Sequence, residues 1–162
     1  MPSSRELFKQ AYNASNEKNY NLAEQSYREA LEIDPNYSMA WNNLGWILYD
    51  QRQQYGEAEK CYLKAITLDK RNFHAWNNLG IHHYRQKKNY RKAERSWKKA
   101  VKFNPEFAKA WKNLGVLYKF QRANTKKSKE CDEKAESIIQ KRKPASDNYK
   151  IQRKVRLVHT TS

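Results

Sequence analysis

Glycine, proline, cysteine and methionine are scarce in this chain of 162 residues, at four, four, two and two. None of the four glycines falls in a G-x-x-x-x-G-K or G-x-G-x-x-G arrangement, so a phosphate-cradling loop is excluded. There is no run of 18 apolar residues, and no transmembrane helix is expected. The opening MPSSRELFKQ lacks the apolar region of a secretory signal. Cys61 and Cys131 stand 70 residues apart at one phase of the pattern described below. Stacked helical units lie about 10 Å apart, so two units place these thiols beyond the roughly 7 Å reach of a disulfide. They read as small, reduced side chains. Acidic residues are also few, 17 against 33 Lys and Arg.

Repetition is abundant. AWNNLG occupies residues 40–45 and returns at 75–80, and AWKNLG follows at 110–115. Between the hexamers a second series keeps the 35-residue step: Ala58, Ala93 and Ser128; Tyr62, Trp97 and Asp132; Ala65, Ala100 and Ala135. Extended backward it reaches Ala23, Tyr27 and Ala30, an earlier unit whose hexamer has decayed. Self-similarity at this period marks stacked supersecondary units forming one elongated domain.

Within each unit the apolar and small residues recur at helical spacing. Trp41, Leu44, Gly45 and Leu48 make one face, and Ala58, Tyr62, Ala65 and Ile66 another. Breaks fall at 50–57 and at the related stretches IDPNY, LDKRN and FNPEF, where Pro35 and Pro105 cannot continue a helix. The spacing predicts helices over 4–16, 20–33, 38–51, 55–68, 73–86, 90–103, 108–121 and 124–141. Gly45, Gly80 and Gly115 lie inside predicted helices, where glycine costs about 1 kcal/mol relative to alanine. They are expected to admit close approach of a neighbouring helix, with Tyr62 and Trp97 filling the gaps.

The order Trp, two residues, Leu-Gly, then Ala, three residues, an aromatic and later Pro resembles the tetratricopeptide repeat. The resemblance covers residues 4–141, with repeats at about 4–37, 38–72, 73–107 and 108–141. It implies an all-α, right-handed superhelical solenoid of about four helix-turn-helix repeats. It departs from the family pattern in four places. Leu7 and Ala11 replace Trp and Gly in the first repeat, and Lys70 stands where Pro35 and Pro105 stand. The turns before Ala58 and Ala93 carry one residue more than the family norm. Ser128, Asp132 and Glu136 make the last helix polar, as suits a terminal cap.

The resemblance also implies a concave wall lined by the first helix of each hairpin. Asn43, Asn78 and Asn113 edge that wall, and amides match the donor and acceptor of a peptide backbone. Two readings stand: a ladder holding an extended ligand, or hydrogen bonds between hairpins. Trp46, Tyr49 and Tyr84 give the wall aromatic surface, and Lys109, Lys112 and Lys119 make its far end basic. Trp46 is either a groove hot spot or packed against the next helix. The family's clamp for a chaperone's C-terminal carboxylate is matched here only at Asn78 and Lys109.

No nucleophile–base pair is evident, so no catalytic residue, cofactor or enzyme activity is expected. His82 and His83 point about 100° apart on a helix without a ligand at the usual spacing, so no metal site is expected. Charge is one-sided. Residues 1–70 hold 8 Lys and Arg against 10 Asp and Glu, while residues 71–162 hold the other 25 against 7. The leading expectation is a monomeric, cytoplasmic scaffold binding an extended or helical protein segment with acidic residues. The alternative is nucleic-acid or other polyanion binding through the basic half. Residues 142–162 form a basic tail expected to be disordered until it meets an anionic surface. The run Lys141, Arg142, Lys143 also reads as a nuclear import signal.

Overall fold

A computed structural model describes residues 1–142, which form eight helices and no strand. These are α1 (Ser4–Asn16), α2 (Tyr20–Ile33), α3 (Ser38–Asp50), α4 (Tyr55–Leu68), α5 (Phe73–Arg85), α6 (Tyr90–Phe103), α7 (Ala108–Phe120) and α8 (Thr125–Arg142). Local chemistry starts them. Ser3 and Glu6 form a reciprocal capping box on α1. The side chains of Asn19, Asn72, Asn89 and Asn124 accept hydrogen bonds from the backbone N–H groups of Leu22, Ala75, Lys92 and Lys127, satisfying donors that a helix N-terminus leaves free. Arg142, assigned above to the tail, closes α8 and donates to the Glu106 carbonyl at 2.9 Å. The remaining tail, 143–162, lies outside the described residues.

Helices pair into four hairpins, α1 with α2 through α7 with α8. Each second helix packs on the first helix of the next hairpin, and α5 also touches α3 and α7. The architecture is an all-α solenoid with the first helices along one wall. Its core is a column of small residues: Ala23, Ala58 and Ala93, then Ala30, Ala65, Ala100 and Ala135, are fully buried. Tyr27, Tyr62 and Trp97 insert beside them and are also buried. Trp76 and Ile81 pack against both halves of the core and make it continuous.

The helical glycines are contact points. A Cβ on Gly45 would lie 2.8 Å from the Tyr62 ring, and one on Gly80 would lie 2.5 Å from Trp97 Nε1. The hexamer tryptophans have a second role besides packing on the core. Trp41, Trp76 and Trp111 are half-buried, and their indole N–H groups donate to the carbonyls of Pro35, Lys70 and Pro105 at 2.8, 2.9 and 2.8 Å. Each tryptophan latches the turn that enters its own hairpin. Lys70 can replace proline there because the acceptor is a backbone oxygen.

The extra turn residue is visible too. In the first hairpin the Asn19 N–H donates to the Ala14 carbonyl, whereas Gln54, Asn89 and Asn124 reach one residue further, to Leu48, His83 and Tyr118. Lys18, Gln53, Lys88 and Ala123 take positive φ of 62°, 56°, 46° and 47°. Before the last three stand Arg52, Lys87 and Arg122, which the shorter first turn lacks. These three cations reach the preceding hairpin: Arg52 meets Glu24 at 2.9 Å, Lys87 meets Glu59 at 4.0 Å and Arg122 meets Glu94 at 3.5 Å.

Candidate functional site

The first helices leave a depression of about 380 Å³ between them. Tyr12, Trp46, Asn43, Asn78, His74 and Lys109 are among its lining residues. A smaller one of about 200 Å³ adjoins it and shares Trp46, Asn78 and Lys109, adding Tyr49, Asp50 and Arg85. The wall expected from the hexamers is therefore a real concavity on α1, α3 and α5, reaching the start of α7.

Its floor is a relay of amides. Asn113 Nδ2 donates to Asn77 Oδ1 at 2.9 Å, Asn77 to Asn78 at 3.3 Å, Asn78 to Asn42 at 3.0 Å, Asn42 to Asn43 at 3.0 Å and Asn43 to the Tyr27 hydroxyl at 3.0 Å. All five bonds run in one direction and cross the four hairpins. Burial pushes the Tyr27 phenol up against the opposing effect of the Asn43 hydrogen bond, so it stays a protonated acceptor. Asn42 and Asn77 are buried, while Asn43, Asn78 and Asn113 are half-buried. The hexamer's two asparagines thus divide the work. The first is buried in the interhelical gap, and the second, at Asn43 and Asn78, is the more exposed of the two along the groove. In the fourth hairpin Lys112 replaces the first asparagine, and the relay begins at Asn113. Each amide in the middle of the chain uses one N–H and one carbonyl lone pair, leaving a second N–H.

Trp46 is 37% exposed and meets Tyr20 edge-on at 6.0 Å, so it both lines the groove and leans on the preceding hairpin. Tyr49 is largely buried, accepting from Gln86 at 3.3 Å and packing on Tyr55. Tyr84 packs on Tyr90 and Trp97 and does not line either depression. Lys109 joins the groove, where burial and then the Lys109 charge hold His74 below the usual imidazole range. Lys112 is exposed. Lys119 lines a separate depression against α8 with Asp132 and Glu136, its ammonium 5.2 Å from the Phe120 ring. Both cysteines are buried. Burial pushes the Cys61 thiol up to about 11 and the Cys131 thiol up as well, which keeps both protonated near neutral pH.

Sequence reasoning missed His74 as a neighbour of the groove amides, whereas helical projection from the hexamer does place Tyr12, Asn42 and Asn77 on this wall. For the amides, repetition of both asparagines in AWNNLG was the available signal. It did not say which of the two points inward.

Family models described as tetratricopeptide repeat match residues 26–60, 7–37 and 73–107, and one described as TPR repeat matches 48–87. No curated protein matches the chain in sequence. Among solved structures, one titled crystal structure of MamA is 20% identical, with a TM-score of 0.71 over 85% of this chain and 79% of that one. MamA 41-end from Desulfovibrio magneticus RS-1 is 20% identical, with a TM-score of 0.69 over 88% and 78%. The Arabidopsis OM64 TPR domain is 21% identical, with a TM-score of 0.67 over 72% and 95%. At such identities the likeness is one of fold.

Proposed function

Because the chain belongs to the tetratricopeptide-repeat family, we propose that it is a non-enzymatic scaffold that holds a segment of a partner protein in the groove of its first helices. Acidic side chains of that segment face Lys109 at the groove's basic end and the exposed Lys112 one turn further along α7, whereas Lys119 lies in the separate depression against α8. The observation that carries this reading is the amide-floored depression with an aromatic side, Tyr12 and Trp46, and a basic end at Lys109. An extended strand rises about 3.3 Å per residue and repeats stack about 10 Å apart. The second N–H groups of Asn43 and Asn78, which line the depression, therefore match every third backbone carbonyl or so of such a segment, and Asn113 continues the spacing beyond it. Backbone recognition would give affinity with little sequence demand, and Trp46 and the lysines would add preference.

The test uses the full chain as bait and compares it with Trp46→Ala and with a double Lys109→Gln, Lys112→Gln variant. Both variants are expected to keep their helicity and lose captured protein. Capture unchanged per folded molecule in both would sink the reading.

A second reading rests on the outer face of α6. Arg91, Arg95, Lys98, Lys99 and Lys102 are all exposed there, and among the described residues Glu94 is the helix's one acidic group. A polyanion lying along this face would release counterions, giving a salt dependence that falls by up to about 0.9 in log–log slope per lost contact with duplex DNA. Changing Arg95, Lys99 and Lys102 to Gln should then flatten the salt dependence and leave groove binding intact. Capture that disappears after nuclease treatment would favour this reading over the first.

A further inference from the structure

We propose that Glu59, His82 and His83 form a binding site for a transition-metal dication of the zinc class, built into the middle hairpins. Comparison within the molecule shows what is special there. Glu24, Glu59 and Glu94 stand 35 residues apart on α2, α4 and α6. At the matching places on α3, α5 and α7 stand Ile47–Leu48, His82–His83 and Leu117–Tyr118. The fold therefore builds this interface twice with apolar or phenolic side chains and has no packing need for imidazoles.

The carboxylates differ as well. Glu24 has Arg28 at 3.0 Å and Arg52 at 2.9 Å. Glu94 has Lys98 at 2.7 Å, Arg122 at 3.5 Å and the Tyr118 hydroxyl at 3.0 Å. Glu59 has Leu63 where Arg28 and Lys98 stand, and Lys87, at 4.0 Å, on a largely exposed side chain. Its charge is the least compensated of the three. Facing it are imidazoles whose buried nitrogens make no well-aligned hydrogen bond among the described residues. His82 is fully buried, and neither of its ring nitrogens nor His83 Nδ1 has a hydrogen bond. Buried polar atoms in this state carry a desolvation penalty that the nearby Glu59 carboxylate offsets only in part.

Glu59 occupies the gap between the two ring directions, which spacing along one helix could not reveal. His82 Nε2 lies 3.3 Å from Glu59 Oε2, and His83 Nδ1 lies 4.0 Å from Glu59 Oε1. One ligand atom from each of the three residues lies within 4.8 Å of the others. Bonds of about 2.0–2.1 Å to a tetrahedral ion put its ligand atoms roughly 3.4 Å apart, so one pair already has that separation and the third atom lies within 4.8 Å of the others. Two imidazole nitrogens and one carboxylate oxygen suit zinc, nickel, copper or cobalt. Calcium and magnesium take oxygen ligands. Glu59 is partly exposed and gives the ion a way in from solvent, and a fourth position is left for water.

The full chain, stripped with chelator, would be titrated with Zn²⁺ by calorimetry and with Co²⁺ by visible absorption. One ion per chain, a four-coordinate cobalt band and a raised melting temperature are expected. Changing His82→Ile together with His83→Leu installs the side chains used one hairpin earlier. That variant should fold without metal and lose the zinc-dependent melting shift and the cobalt band. Glu59→Gln should weaken binding at least as much as loss of a supporting residue does, about 10–100-fold, and it keeps the test open should the double variant misfold. Lys87→Gln should tighten binding, since the nearest competing cation leaves. No binding by the unaltered chain, or equal affinity and stoichiometry in the double variant or in Glu59→Gln, would overturn the site.

Discussion

Gly80 and Gly115 hold the same place in two hairpins and should respond differently to the same change. A methyl on Gly80 meets the Trp97 indole, whose N–H is tied to the Asn77 carbonyl at 3.1 Å in a buried bond. The ring cannot slide away without breaking that bond, so Gly80→Ala should destabilise the chain by about 1–3 kcal/mol, the usual range for overpacking. On Gly115 the methyl meets the carboxylate end of Asp132, an exposed side chain that can swing into solvent. Gly115→Ala should be near neutral, because the gain in helix propensity of about 1 kcal/mol offsets the displacement. Chemical denaturation of both variants checks the pair. Gly80 was legible in the sequence because its period and its aromatic partner were both visible, and Gly115 was legible by its period alone. The tryptophans were legible as repeat markers but not as latches. Their acceptors are backbone carbonyls six residues upstream, which side-chain patterns do not register.

At the scale of helices and turns, the helix limits agree with the apolar spacing to within one residue, since caps and periodicity mark the same ends. The links between hairpins were hidden. Glu24 and Arg52 are 28 residues apart, and neither stands out in a surface rich in charge. Burial alone would raise the Glu24 carboxyl, but hydrogen bonds from Arg52 and Arg28 outweigh it and hold it below the ordinary 4.5. A carboxylate depressed in the folded chain contributes its full stabilisation above 4.5 and loses it as pH falls through the lower folded value. The melting temperature should therefore drop on acidification below pH 4.5, with a flatter profile for Glu24→Gln. The difference at neutral pH should be small, about 0.2–1 kcal/mol, because the pair is partly exposed. The turns offer a second test. Ala123 has φ of 47°, a region that costs a residue with a Cβ roughly 1–2 kcal/mol. Replacing Ala123 with Gly should relieve part of that strain, less the greater freedom glycine gains when unfolded, and raise stability by about 0.5–1 kcal/mol in thermal melts.

For the whole molecule, stacking makes each hairpin depend on its neighbours, and the amide relay crosses all four of them. A sequence met alone could place asparagines along one wall, but it could not separate a ligand ladder from an interhairpin relay. The structure shows the relay, and the half-buried Asn43 and Asn78 each keep a second N–H outside it. Lys109 and Trp46 were legible as groove residues because helical projection from the hexamer fixes their direction. Tyr84 and Lys119 were not. Aromatic packing within the third hairpin claims Tyr84, and the polar face of α8 provides surroundings for Lys119 that no earlier repeat predicts. Charge is distributed at the same scale: α6 and α7 carry nine Lys and Arg against Glu94 alone, while α2 carries three glutamates against Arg28. That asymmetry leaves the groove and the outer face of α6 as rival docking surfaces. Site-specific photocrosslinking separates them most directly. A photoreactive phenylalanine analogue would be placed at position 46 in the groove, at Leu63 on the outer side of α4, or at Lys99 on α6. Groove binding predicts protein adducts at position 46 that survive nuclease treatment, with none of comparable yield at positions 63 and 99. Adducts confined to position 99, or to nucleic acid, with nothing captured at position 46, would contradict it.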